Sequence, residues 1–169
     1  MKTTIGGVFA LLLAMTVAIG LVACGEKTAS DSTSIAVTNT TMTASEVVHA
    51  KNAYIRAMPP GQQVTALFVT LDNTSNQDHY LLKVESYISD AVELHEHKHE
   101  NGIMKMGQVK RIAIPKNGSV ALAPGGYHVM LIGLKEDLKL GDKVIMKMIF
   151  EDGSTQDVLP EVKAINTEQ

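Results

Sequence analysis

Between Val47 and Val162 no apolar stretch keeps a helical period. Instead, short apolar segments are cut by turn-forming clusters at intervals of about 8–12 residues. The segments that read as strands are Ala50–Arg56, Val64–Asp72, Tyr80–Ser86, Ala91–His97, Met104–Ile114, Ser119–Leu122, Tyr127–Leu134, Lys143–Phe150 and Thr155–Val158. Clusters such as Pro59-Pro60-Gly61, Asn101-Gly102, Pro124-Gly125-Gly126 and Glu151-Asp152-Gly153 separate them, because Pro presets φ and Gly or Asn tolerates positive φ. Leu134–Leu140 has room for a helical turn and nothing more. Strands this short at this spacing suggest an all-β sandwich or barrel, and the expected domain is a β-sandwich.

The ends indicate a compartment. Lys2 precedes an almost unbroken apolar run, Val8 to Val22, which is short for a membrane span of about 20 residues and suits a signal peptide. The run closes on Leu21-Val22-Ala23-Cys24, which resembles the lipobox of bacterial lipoproteins. That resemblance implies cleavage after residue 23, acylation of Cys24 and an exported protein tethered to a bacterial membrane, facing the periplasm or the cell exterior. Each buried acyl CH₂ contributes about 0.8 kcal/mol to such a tether. Residues 24–46 then read as the lipidated Cys and a flexible linker, since ten of the 21 residues from Gly25 to Ser45 are Ser or Thr. The folded domain is expected over 47–169, ending near Val162 with a short polar tail. The single Cys excludes an intramolecular disulfide framework, a Cys-rich zinc site and an iron–sulfur cluster held by this chain alone. A net charge of −3 argues against nucleic acid as a partner.

The unusual donors are six His and, after the signal segment, seven Met. His95, His97 and His99 fall at i, i+2 and i+4, one face of a strand. Asn101-Gly102 follows, a strong signal for a two-residue hairpin turn, and then Met104-Lys105-Met106. With that turn, His99 faces Met104, His97 faces Met106 and position 95 faces 108. His128 and Met130 form a second imidazole–thioether pair on one strand face. Soft thioethers with borderline imidazoles, and no thiolate or carboxylate, suit Cu(I) better than Zn²⁺, Ca²⁺ or Mg²⁺. A thioether also needs no deprotonation and cannot be lost to a disulfide in an oxidising compartment.

The spacing His95-x10-Met106-x21-His128-x-Met130 resembles the signature of the PCuAC-type periplasmic copper chaperones. The surroundings are similar too: Val92-Glu93-Leu94-His95, Gly102-Ile103-Met104-Lys105-Met106, and Pro124-Gly125-Gly126-Tyr127-His128-Val129-Met130-Leu131. The resemblance spans roughly Ala50 to Val162. It implies a cupredoxin-like, Greek-key β-sandwich whose ligands are His95, Met106, His128 and Met130. The implied function is a non-enzymatic carrier that binds Cu(I) and delivers it to the copper-bearing subunit of cytochrome c oxidase, or to another copper chaperone. Many relatives add His and Met to the C-terminus for a Cu(II) site; Lys163–Gln169 has neither. The two-residue turn puts His97 across from Met106, whereas the resemblance assigns His95.

Simpler readings compete for several of these residues. Met146 and Met148 alternate with Ile145 and Ile149 and belong to the core. Met104 is either a wall of the site or an auxiliary ligand. His97 and His99 are either a solvated hairpin tip or an auxiliary position for Cu(II) or Zn²⁺. His49 and His79 read as surface or loop residues. Among functions, a blue-copper electron carrier lacks its thiolate. A copper-sequestering lipoprotein would use the same site without a dedicated acceptor. A Cu(II)- or zinc-dependent enzyme built on His95, His97 and His99 lacks an identifiable general base.

Overall fold

A computed structural model describes residues 42–100 and 102–164; the expected signal peptide 1–23, Cys24 and the linker as far as residue 41 lie outside them. Two strands, β1 (Val48–Arg56) and β2 (Val64–Asn73), open as an antiparallel hairpin. Next, β3 (His79–Glu85) joins a second sheet, and β4 (Ser89–Glu100) with β5 (Ile103–Gln108) returns to the first. The chain crosses again with β6 (Ile112–Ile114), returns with β7 (Gly118–Leu122) and β8 (Tyr127–Leu134), and crosses once more with the hairpin of β9 (Met146–Phe150) and β10 (Thr155–Val158). Finally β11 (Glu161–Lys163) pairs parallel with β1. The result is a seven-stranded sheet, ordered β11-β1-β2-β7-β8-β4-β5, and a four-stranded sheet, ordered β10-β9-β3-β6. This is the cupredoxin-like, Greek-key sandwich that the sequence leads one to expect.

Period-2 alternation builds the core. From the larger sheet, Ile55, Leu67, Leu94, Val129 and Leu131 are buried in it; from the smaller come Leu81, Ile112, Ile114, Met146, Met148 and Phe150. Burying each such side chain fully contributes about 1.5–3 kcal/mol. Met146 and Met148 have no exposed surface, as their alternation predicts. Because Val129 and Leu131 point into the core, His128 and Met130 must point away from it. The copper-type donors therefore sit on the outer face of the larger sheet.

Several expectations need correction. The single strand expected over Met104–Ile114 is two strands in different sheets: β5 pairs with β4, and β6 pairs with β3. Between them Val109 N–H donates to the Leu94 carbonyl, and the chain leaves one layer for the other at Lys110-Arg111. Leu134–Leu140 forms bends and turns rather than a helical turn. The helical turn is instead α1 (Ala44–Val47), at the end of the expected linker. Ala44 is fully buried there; its N–H donates to Asp152 Oδ2 at 2.6 Å, and Ser45 N–H donates to the Ser154 hydroxyl at 3.0 Å. His79 is buried rather than superficial, because its Nδ1–H reaches Glu151 Oε1 at 2.6 Å. Three-residue β11 has no counterpart among the expected strands.

Candidate metal centre

Strand register places the donors. On β8, His128 lies directly opposite His95 of β4, and Met130 lies opposite Glu93. At the far edge of β4, Glu100 pairs with Ile103, and Gly102 before it has φ 77°. His97 therefore faces Met106 and His99 faces Met104, the register inferred from the two-residue turn. On the other side of β8, Ala66 of β2 lies opposite Met130, and Phe68 comes next on the same face. Phe68 packs on Tyr54 with ring centroids 5.2 Å apart and lies 6.5 Å from the His128 ring. This aromatic floor leaves His128 only 4% exposed although it faces away from the core.

A turn fixes the state of His128. Residues Ala123–Gly126 are closed by Gly126 N–H donating to the Ala123 carbonyl at 3.0 Å, with Pro124 second and Gly125 third at φ 82°. Proline in the second position and a positive-φ glycine in the third are the marks of a type II turn. Its Gly126 carbonyl accepts from His128 Nδ1–H at 3.0 Å and from His97 N–H at 3.2 Å. With Nδ1 protonated, Nε2 keeps its lone pair for a metal. Burial pushes the His128 pKa down; the Gly126 carbonyl opposes this, and unfavourable coulombic interactions with the neighbouring His97, His95 and Arg56 side chains reinforce it. The ring is thus held neutral, the ligating form.

The two neighbouring imidazoles differ. His95 Nε2–H donates to Glu93 Oε2 at 2.8 Å, leaving Nδ1 buried without a hydrogen-bond partner. Its ring centroid is 5.8 Å from that of His128. His97 stacks on His128 at 4.8 Å with 23° between planes, and its Nδ1 is likewise buried and unpartnered. Two buried imidazole nitrogens without a hydrogen-bond partner, beside a third ring whose Nε2 is free, make a cluster of nitrogens open to a metal. His97, Met106, His128 and Met130 line one cavity of about 290 Å³, walled by Phe68 and Pro124 and with Arg56 at its side. Of the four residues named by the family signature, Met106, His128 and Met130 meet in this cavity. His95 lies against His128 but does not line it, and His97 takes the place across from Met106. Arg56 and Phe68 carry no sequence signal of their own and reach the site through the pairing of β1 with β2; Gly126 is legible as a turn residue, but not as the carbonyl that orients His128. Among the described residues no group of three His, Cys, Asp or Glu is arranged to hold a metal, so a centre here depends on the thioethers.

Residues 48–162 match the LpqE-like family model, which takes in the whole sandwich and every donor above. The chain belongs to this family. The "Putative lipoprotein Lxx21020" of Leifsonia xyli is 35% identical over 117 residues, 69% of each chain. Among solved structures, CuI-DR1885 from Deinococcus radiodurans is 34% identical, with a TM-score of 0.60 over 74% of this chain and 83% of that one. The copper-bound PCuAC domain from PmoF2 is 22% identical, with a TM-score of 0.59 over 70% of this chain and 94% of that one, a likeness of fold. The LpqE-like chain is accordingly of PCuAC type.

Proposed function

We propose that this protein is an exported copper carrier. It would hold Cu(I) through His128, Met106 and Met130 with one imidazole from β4, and pass it on by ligand exchange. The observation that carries the reading is the convergence of two thioethers and a neutral, tautomer-fixed imidazole on one half-open cavity. The 34% identical relative whose structure is named for its Cu(I) form supports the choice of metal and oxidation state. His97 is the β4 imidazole that lines the cavity, while the family signature points to His95; the buried, unpartnered Nδ1 of each suits either. Met106 is 50% exposed, so an incoming ligand can displace its sulfur first. Transfer needs no transition-state stabilisation by the protein, and relative affinity sets its direction; the protein acts as a carrier and not as an enzyme. The receiving partner in this reading is the copper-bearing subunit of cytochrome c oxidase or another copper chaperone. Acylated Cys24 and the linker would keep the carrier at the membrane where such an acceptor sits, in line with the lipoprotein name of the Leifsonia relative.

Titration of the full chain with Cu(I) under a competing chelator tests the site. One tight equivalent is expected, greatly weakened in Met106→Ala and in Met130→Ala; undiminished binding in both variants would refute it. Separate His95→Ala and His97→Ala variants identify the β4 ligand. Mixing the loaded protein with an apo oxidase copper domain tests delivery, and copper retained against excess acceptor would indicate sequestration instead.

A further inference from the structure

The β4–β5 hairpin separates two kinds of chemistry onto its two faces. One face carries Glu96, Lys98, Glu100 and Lys105, tied by Lys98–Glu96 and Lys105–Glu100 ion pairs of 3.0 Å each. The other carries His97, His99, Met104 and Met106, with no charged side chain among them. An ordinary solvated hairpin tip would put charges on both faces, because neither is covered. Here two methionines are left 52% and 50% exposed beside two histidines, although an exposed thioether gains nothing from water. Directly opposed residues of an antiparallel pair have Cβ atoms about 4.5–5.5 Å apart, and diagonal neighbours remain within reach of long side chains. His97–Met106 and His99–Met104 are therefore two adjacent imidazole–thioether rungs, the first at the cavity and the second nearer the tip. His97 belongs to both surroundings: its ring stacks on His128, and its buried Nδ1 has no partner.

We infer that the hairpin holds a second Cu(I) position, formed by His99 and Met104, with His97 able to serve it or the cavity, one copper at a time. This rests on the proposed Cu(I) function of the cavity. Copper at the tip is bound by His99 and Met104; as it moves inward His97 joins and Met104 leaves, and then Met106, His128 and Met130 take over. His99 leaves as Met106 binds, so the two transfers each exchange one dative bond for another, and His128 and Met130 then add a third and a fourth. Copper stays Cu(I), no electron is transferred, and neutral imidazole and thioether donors release no proton. The outer position is the more exposed and has fewer donors, so it binds more weakly and exchanges faster.

The test is Cu(I) loading of the full chain, counted by native mass spectrometry and by competition with a strong and a weak chelator. The wild type should keep one equivalent against the strong chelator and two against the weak one. His99→Ala/Met104→Leu should keep the first with unchanged affinity and lose the second, and copper hand-off to a chelator too bulky for the cavity should slow. Met104→Leu alone, which conserves volume on an exposed strand, guards against misfolding and should weaken only the second equivalent. A wild type that never exceeds one equivalent, or a double variant that still takes two, overturns the inference while leaving the cavity intact. Loss of neither equivalent in Met106→Leu/Met130→Leu would instead overturn the cavity reading.

Discussion

Gly125→Ala tests whether the type II turn before β8 prepares His128 for metal. Gly125 sits at φ 82°, and a Cβ added there meets nothing within 4 Å. The cost is therefore purely one of backbone conformation, about 1–2 kcal/mol for an L-residue in left-handed space. For a domain of this size that corresponds to a fall in Tm of roughly 4–10 °C. Relief of the strain requires the turn to rearrange, which displaces the Gly126 carbonyl from His128 Nδ1–H and from His97 N–H. Losing the outer partner of a ligating histidine typically costs about 10–100-fold in metal affinity. Gly153→Ala is the matched control: φ is 79°, no atom lies within 4 Å of the added Cβ, and the residue lies in the β9–β10 turn, away from the donors. Thermal unfolding of the apo proteins should show similar losses for the two variants. Competition with a chromophoric Cu(I) chelator should show weakened binding in Gly125→Ala alone. Equal Cu(I) affinity in both variants would refute the claim that this carbonyl orients His128.

The methionines should divide cleanly. Met146→Ala or Met148→Ala is expected to cost about 2–5 kcal/mol in urea unfolding, since both side chains are fully buried, and to leave Cu(I) affinity unchanged in the folded protein. Met106→Leu should move stability by less than about 0.5 kcal/mol yet weaken Cu(I) binding strongly. Asp152 gives a pH prediction. Burial pushes its pKa up, but hydrogen bonds from Ser154 and from Ala44 N–H prevail and hold it below the ordinary 3.8. A depressed carboxylate pKa adds stability above the unfolded value, and that stability disappears as pH falls through the folded value. Asp152→Asn should thus cost about 1 kcal/mol at neutral pH, a low figure because the carboxylate is largely exposed, and the difference should shrink at acid pH as the carboxyl titrates through its lowered value. Urea unfolding at the two pH values checks it; a constant difference would count against ionic capping of α1.

Local signals in the sequence were reliable where the interaction itself is local. Asn101-Gly102 implies the register that puts His97 opposite Met106, because a two-residue turn leaves the pairing no freedom. Pro124-Gly125-Gly126 reads as a bend for the same reason. What escaped depends on distant partners. Met104–Ile114 has a continuous apolar flavour, and only the competing edges of β4 and β3 divide it between two sheets. Three residues of β11 carry no pattern until β1 lies beside them. The burial of His79 is set by Glu151, 72 residues away. At the candidate site, residue types and spacing single out the candidate donors, but which β4 histidine lines the cavity depends on packing around the Glu93 carboxylate and the cavity wall, which no spacing encodes.

The chain's habit of changing sheet after every one or two strands also orders events in time. A local hairpin such as β4–β5 forms in microseconds, whereas β8 must take its place between β2 and β4 after long loops have closed. His97, His99, Met104 and Met106 can consequently meet on a chain that is otherwise unfolded, while His128 and Met130 reach them only near the end. Copper arriving before folding is complete encounters a partial, kinetically labile set of donors, and copper arriving afterwards encounters the full set. Under the proposed function, the donor set is complete only once β8 is in place, so folding precedes tight loading.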